Sequence, residues 1–348
     1  MIDFRYHLVS IVAVFLALAI GIVLGSTELQ GTTLDALRAL NGSLKNQLNA
    51  AEAQRAGYAQ QAGASDAFLK SAESKLLDGT LAGDRVVIVT EPGAPSAVVA
   101  GVQQAAKLSG AAISGTVALQ PKFNDLSGAT QASLSATNAQ LASSDGYTLT
   151  PGSPSQTGYQ QNAAQLIGYA ILDQVADQPG LTSGQAQLVL QAYAQGGFLS
   201  ESGAPWNRAT LAVIVTPGSP PADGANDPAN QVLLAVAQQF AAMSAATLVA
   251  GSVAGTTPTG SAISVLRGSS VASRVSSVDN ADTTLGQIST MWAFAALLAG
   301  GKPGSYGVLG ASAVSPAVPL PVPSGTPSVT STPTPSATGE AAKTVGKK

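Results

Sequence analysis

The chain has 348 residues, and only 10% of them are charged, compared with roughly 25% in ordinary soluble domains. The net charge is −3, and the 16 Lys and Arg residues are spread along the sequence, which excludes the dense positive surface of a nucleic-acid-binding protein. The sequence has no Cys, which excludes disulfides, cysteine metal sites and thiol catalysis. The single His, at position 7, is the only imidazole for a metal site or a catalytic triad.

The first predicted element is a transmembrane helix at residues 8–26, which are apolar and long enough to cross a membrane. A cleaved signal peptide is the alternative, but its apolar core usually has about 7–15 residues and a small-residue cleavage site follows it. Arg5 and His7 precede the segment, and the first charge after it is Glu28. The positive-inside rule therefore predicts a single-pass cell-membrane protein, with residues 1–7 cytoplasmic and the C-terminal part extracytoplasmic.

One face of this helix carries small residues at intervals of four. Ala13, Ala17, Gly21 and Gly25 form that face, and the last two make a GxxxG pair. Small residues let two helices approach closely in lipid, so the pattern predicts a helix–helix interface between two copies of the chain.

Residues 27–79 are predicted to form a helical stalk with a heptad repeat. Apolar residues fill most a and d positions, which favours a coiled-coil dimer, and Asn41 at an a position is typical of a residue that fixes the register. A bent helix that packs on the following domain is the alternative, because three glycines weaken the stalk. The predicted interface residues are Leu34, Leu37, Asn41, Leu44 and Leu48.

Residues 83–310 are predicted to form an extracytoplasmic α/β domain with a mainly parallel sheet, because apolar, β-branched strands alternate with helices. The strand sequences VVIVTEPGAP and AVIVTPGSPP are similar, which suggests two halves of related design. Strands are predicted at 85–90, 111–119, 211–216, 247–251 and 274–278. Helices are predicted at 96–108, 128–143, 161–176, 184–195, 228–243, 261–267 and 282–299. Residues 311–348, rich in Pro, Ser and Thr, are predicted to be a disordered tail.

Ligands in open α/β sheets bind beyond the carboxyl ends of the strands, where Glu91 and Asp223 follow the two strongest strands. Ordinary loop polarity explains both residues equally well, and neither loop has a phosphate-binding motif. Asp279 and Asp282 form a second candidate pair, suited to a hard cation or to acid–base chemistry. The alternative is a structural role, in which they cap the following helix or pair with Arg267 or Arg274 inside the domain.

The opening MIDFRYHLVSIVAVFLALAIGIVLGS resembles the start of the mycobacterial copper transport protein B family of actinobacterial envelope proteins, which includes the cell-separation protein SteB. The stretches at 278–287 and 304–307 also resemble this family. The resemblance runs from residue 1 to about residue 310, and it implies a bitopic dimer with an external α/β domain.

Two roles follow from the resemblance: a scaffold that acts with the membrane partner SteA in cell separation, or a copper efflux protein. The residues favour the scaffold, because a channel through an outer membrane needs a closed barrel of alternating strands without a helical anchor, whereas this sequence predicts a membrane helix, a stalk and a packed α/β body. Copper also prefers sulfur and imidazole ligands, and the chain offers only Met1, Met243, Met291 and His7, without ligand spacing. We therefore predict no metal site, cofactor or catalytic residue, and enzyme activity is the weakest of the three classes.

Overall fold

The computed structural model describes residues 4–145, 149, 157–173, 181–257 and 259–317, and of residues 26–33 it describes the backbone alone. The chain divides after Leu76 into two units, a long N-terminal helix and an α/β body.

The N-terminal unit is one continuous helix, α1, which spans Phe4–Leu77 and has 74 residues. Its first part, Phe4–Gly25, is long and apolar enough to cross a membrane, with a mean hydropathy of 2.9. The predicted membrane segment and the predicted stalk are thus parts of a single helix. The stalk glycines do not interrupt it, because a glycine inside a helix lowers its stability by only about 1 kcal/mol relative to alanine.

The body contains one sheet of seven strands with helices between them. The strands are β1 (Arg85–Thr90), β2 (Ala112–Leu119), β3 (Leu199–Gly203), β4 (Leu211–Val215), β5 (Ala246–Ala250), β6 (Ser276–Val278) and β7 (Ser305–Tyr306). The α-helices are α2 (Ser96–Leu108), α3 (Gly128–Asp145), α4 (Gly158–Ile171), α5 (Ser183–Gln195), α6 (Pro228–Met243), α7 (Ala262–Arg267) and α8 (Thr284–Leu298). Short 3₁₀ turns lie at Pro121–Asn124, Pro205–Asn207, Gly224–Asn226 and Ser270–Ser273.

The strand order is β3-β2-β1-β4-β5-β6-β7, and every neighbouring pair is parallel except β2 with β3. The predicted α/β fold with a mainly parallel sheet is therefore confirmed. From β1 the chain crosses to β2 on one side, and from β4 it crosses to β5 on the other side. The order of strands thus reverses between β1 and β4, which makes their carboxyl ends the topological switch point of the sheet.

Both faces of the sheet are buried. Val87 and Val89 of β1 belong to the main apolar cluster, together with helices α4, α5 and α6. The alternate residues Val86 and Ile88 have no exposed surface either, so helices cover the second face as well. Strands buried on two faces read as continuous apolar runs, which explains the strand sequence VVIV.

Two strands were not predicted. The antiparallel edge strand β3 has the sequence LSESG, and its polar residues lack the apolar alternation of a strand. Strand β7 has two residues, too few for any pattern. Its pairing continues into the segment predicted as tail, because the Ser312 amide donates a hydrogen bond to the Ser305 carbonyl at 3.1 Å. Residues 318–348 of that predicted tail lie outside the described residues.

Candidate functional site

The candidate site lies at the switch point, where the loops that follow β1 and β4 run side by side. The Glu91 amide donates to the Val215 carbonyl at 2.9 Å, so the edge of the sheet continues into the first loop. The Gly218 amide donates to the Gly93 carbonyl at 3.0 Å and joins the two loops. Gly93 has φ +85°, a conformation that favours glycine.

Glu91 is buried at this edge, with only 5% of its surface exposed. Its side chain lines a small cavity of about 20 Å³, which is roughly the space of one water molecule. We call this cavity the switch-point crevice, and its other lining residues are Pro217, Ser219, Pro221, Ala229, Asn230, Gly255 and Ala262. Its walls are therefore mainly apolar, with Glu91 as the ionisable group among them.

Burial raises the pKa of Glu91 from 4.5 to about 8, and the nearby Asp227 carboxylate acts in the same direction. No hydrogen bond to the Glu91 carboxyl exists within the described part of the chain to oppose this shift. Glu91 therefore holds a proton at neutral pH. A carboxyl whose pKa is strongly shifted and that lies in a crevice marks a candidate functional site.

The walls of the crevice are fixed by helix α6 and by the loop after β5. The Asp227 side chain caps α6 by accepting a hydrogen bond from the Ala229 amide at 2.9 Å. The Asn230 amide nitrogen donates to the carbonyls of Gly224 at 2.8 Å and Gly260 at 3.2 Å. These bonds hold the start of α6 against the crevice.

Gly255 provides the closest approach between two of the loops. A Cβ atom at this position would collide with the Pro217 carbonyl, so only glycine lets the loops after β4 and β5 pack this tightly.

The structure separates the two carboxylates that the sequence placed after the strong strands. Glu91 lies in the crevice, whereas Asp223 is exposed ahead of the short 3₁₀ turn Gly224–Asn226. Asp227 and Asn230 were not predicted as site residues. Their signal was the Asp227-Pro228 pair, because Asp at the N-cap and Pro at the first helical position are both typical of a helix start.

Asp279 is fully buried and both of its oxygens are bonded. Its Oδ2 accepts from Arg267 Nη1 at 2.9 Å and from the Leu309 amide at 3.0 Å, and its Oδ1 accepts from the Val308 amide at 2.7 Å. A Cβ atom at Gly307 would collide with this carboxylate. The Asp279–Arg267 pair, which the sequence analysis named as a structural alternative, is present.

Arg267 completes this network from the last turn of α7. Its Nη2 donates to the Tyr306 carbonyl at 2.8 Å, its Nη1 to the Leu309 carbonyl at 2.6 Å, and its Nε to the Ser277 hydroxyl at 2.9 Å. The pair therefore fastens β6 to the chain that follows β7. An adjacent cavity of about 200 Å³ is lined by Arg267 and by residues that include Val275, Pro303 and Ser312.

Asp282 is exposed, and its Oδ1 accepts a hydrogen bond from the Val253 amide at 3.1 Å. Arg274 is also exposed. Asp279 and Asp282 are thus engaged with different partners. Among the described residues, no group of three or more His, Cys, Asp and Glu side chains is placed to hold a metal ion.

The methionines of the body are packing residues. Met291 has no exposed surface, and Met243 is 5% exposed. The methyl end of Met243 occupies the space that a Cβ at Gly168 would need, so α4 and α6 are packed through this side chain.

The predicted dimer residues lie on exposed faces of α1. Leu34, Leu37, Leu44 and Leu48 are each about half exposed or more, with values of 49% to 61%, and Asn41 is exposed as well. Ala13 and Ala17 are exposed, and a Cβ at Gly21 or Gly25 would meet no atom within 4 Å. Both faces remain available for the predicted pairing.

The chain thus combines an N-terminal helix that is long and apolar enough to cross a membrane with a doubly wound α/β body. The family model described as "Copper transport outer membrane protein, MctB" matches residues 1–316, and the chain belongs to this family. The protein named "Copper transporter MctB" of Mycobacterium tuberculosis (strain ATCC 25618 / H37Rv) is 33% identical over 316 residues, covering 88% of this chain and 96% of the relative. Its namesake of Mycobacterium leprae (strain TN) is 30% identical over 330 residues, covering 92% and 100%.

These comparisons confirm the family resemblance drawn from the N-terminal motif and the stretches near residues 280 and 305. The relatives are named as transporters and not as enzymes.

Glu91→Gln should change how the stability of the body depends on pH. Between pH 4.5 and about 8, folded Glu91 keeps a proton that the unfolded chain releases, so stability falls as pH rises, by about 1.4 kcal/mol per pH unit. The substituted glutamine side chain has no proton to lose, so the variant should lack this slope. Urea unfolding followed by tryptophan fluorescence measures it, because both Trp residues lie in the body. Parallel pH profiles for the two proteins would contradict the buried, protonated carboxyl.

Asp279→Ala should lower the free energy of unfolding of the body by about 3–5 kcal/mol, because Arg267, whose side chain is only 13% exposed, would lose its charged partner. Asp282→Ala is the matched control, since it removes one exposed hydrogen bond to Val253 and should lower the free energy by less than about 1.5 kcal/mol. The same fluorescence assay compares them. Equal losses in the two variants would show that the Asp279–Arg267 pair does not fasten the sheet edge.

Proposed function

We propose that this protein acts in copper homeostasis at the cell envelope, as a single-pass dimer whose α/β body works with a membrane partner. The supporting observation is its similarity to proteins named copper transporters, at 33% identity over 316 residues. The match includes the membrane helix, the stalk and the body. The comparisons support this role better than the cell-separation scaffold, which was one of the two roles that the resemblance implied and the one that the residues favoured.

The architecture supports an accessory role rather than a pore formed by one chain. Phe4–Gly25 is the candidate membrane span among the described residues, and one helix cannot enclose a channel. The sheet of the body is covered by helices on both faces, as in a water-soluble domain. In this proposal, copper crosses the membrane through an assembly of several proteins. The chain contributes a membrane anchor and an α/β body that binds the membrane partner.

The proposed orientation places the N-terminus in the cytoplasm and the body outside. Arg5 lies before the membrane segment, and the stalk that follows it carries acidic residues such as Asp35. A reporter that is active only outside the cytoplasm, fused after Gly83, tests this orientation directly.

The proposed dimer is parallel, because both chains enter from the same side of the membrane. The small-residue face pairs the helices in lipid, and the exposed leucines of α1 pair them outside. Each contact is weak alone, but once one forms, the other becomes intramolecular and gains from effective concentration.

A SteB-like scaffold in cell separation, acting with a SteA-like membrane partner, is the second candidate. The observation that favours it is the use of Met243 and Met291 in core packing, since thioethers held in a core are not presented to copper. The two candidates differ in phenotype rather than in architecture.

Deleting the gene from its host should lower the copper concentration that the cells tolerate, and the full-length protein should restore tolerance. A chain that lacks residues 1–26 should fail to restore it, because the proposal requires the membrane anchor. Growth in copper measures the effect, with growth in zinc as the control for general envelope damage. Chained cells with unchanged copper tolerance would overturn the copper role and favour the scaffold.

Leu44→Asp together with Leu48→Asp should make the full-length protein monomeric in detergent, because two charges per chain would be buried in the stalk seam. Ser43→Asp with Asn46→Asp is the matched control, since it adds the same charges away from the a and d positions of the heptad. Sedimentation measures the association state, and tryptophan fluorescence checks that the body stays folded. A wild-type protein that is monomeric at tens of micromolar would contradict the coiled coil.

A further inference from the structure

The switch-point crevice contains an ionisable group without a partner. The Glu91 residue is only 5% exposed, lines the cavity, and has no hydrogen bond to its carboxyl in the described part of the chain. Buried carboxyls are otherwise paired or hydrogen-bonded in folded proteins, because a carboxylate without a partner is strongly disfavoured away from water. The carboxyl lies where ligands bind in open α/β sheets, which points to a ligand that supplies the partner.

The surroundings of Glu91 select a positively charged ligand. The negative charge of Asp227 repels an ionised Glu91 and so raises the pKa of Glu91. The other lining residues, from the loops after β4 and β5 and from the first turns of α6 and α7, are uncharged. A ligand that brings a positive charge therefore relieves the repulsion between the two carboxylates, whereas an anion would increase it.

Size and wall chemistry narrow the class of ligand further. The space of about 20 Å³ accommodates a group of the size of one water molecule, such as an ammonium head. Pro217, Pro221 and Ala262 give this space apolar walls. Only the ammonium head would fit inside the crevice, so the alkyl chain that carries it would extend outwards from it. Such a site differs from one for a hard metal ion, which requires six or more oxygen ligands.

We propose that the switch-point crevice binds a primary alkylammonium group, with Glu91 as its counter-ion. The group comes either from a free amine or from a lysine side chain of another protein, and both sources share this chemistry. The proposal does not depend on the role in copper homeostasis.

Isothermal titration of the full-length protein in nanodiscs at pH 8 tests the proposal with two probes, n-butylamine for a free amine and Nα-acetyl-lysine amide for a lysine side chain. Each probe should bind at one saturable site. Nα,Nε-diacetyl-lysine amide, which has no charge, should not bind. Tighter binding of the lysine derivative assigns the group to a protein partner, and equal or tighter binding of butylamine assigns it to a free amine.

Glu91→Gln should weaken the binding of both amines at least tenfold, because the salt bridge is lost. Asp223→Asn is the matched control, since it removes a carboxylate from the same group of loops at an exposed position, and it should change affinity by less than about twofold. Circular dichroism checks that both variants fold.

The wild-type protein provides a test that needs no variant. An alkylammonium keeps its charge up to a pH of about 10, whereas Glu91 must lose its proton to pair with it. Affinity should therefore rise by about tenfold per pH unit from pH 6 until it levels near pH 8. Absence of saturable binding, equal affinity in Glu91→Gln, or an affinity that is constant from pH 6 to pH 8 would each overturn the proposal.

Discussion

The parallel pairing of β1 with β4 is the interaction on which the body depends. Val86–Thr90 lies in register with Leu211–Val215, and these residues are buried almost completely. The loops that follow the two strands lie side by side at this edge, and beyond them the chain crosses to β2 on one side and to β5 on the other. The hydrophobic burial that forms the core thus also creates the crevice, because the same two strands supply both.

Glu91 lies at this edge at the expense of stability. A carboxyl held without a hydrogen bond in an apolar setting destabilises the folded state once its unfolded counterpart ionises. The apolar strands around it and the closely packed loop at Gly255 hold the position nevertheless. Residues that the rest of the fold holds in a locally unfavourable position are often functional.

Much of the fold could be predicted, because strands that are buried on both faces of the sheet consist of continuous apolar runs, which are visible in the sequence. The runs VVIV and AVIV identified β1 and β4, and their similarity reflects their adjacent, parallel places in the sheet. Strand β3 was not predicted, because it lies at the edge of the sheet and its polar sequence has no continuous apolar run. The site was predictable only in part: the position of Glu91 after a strong strand was visible, but its burial beside Asp227 depends on contacts between residues more than a hundred positions apart.

The two proposals assign different chemistry to different parts of the chain. Copper favours sulfur and imidazole, whereas the crevice offers a carboxyl within apolar walls, which suits an ammonium group. The crevice therefore serves recognition of a partner or a small amine rather than contact with copper.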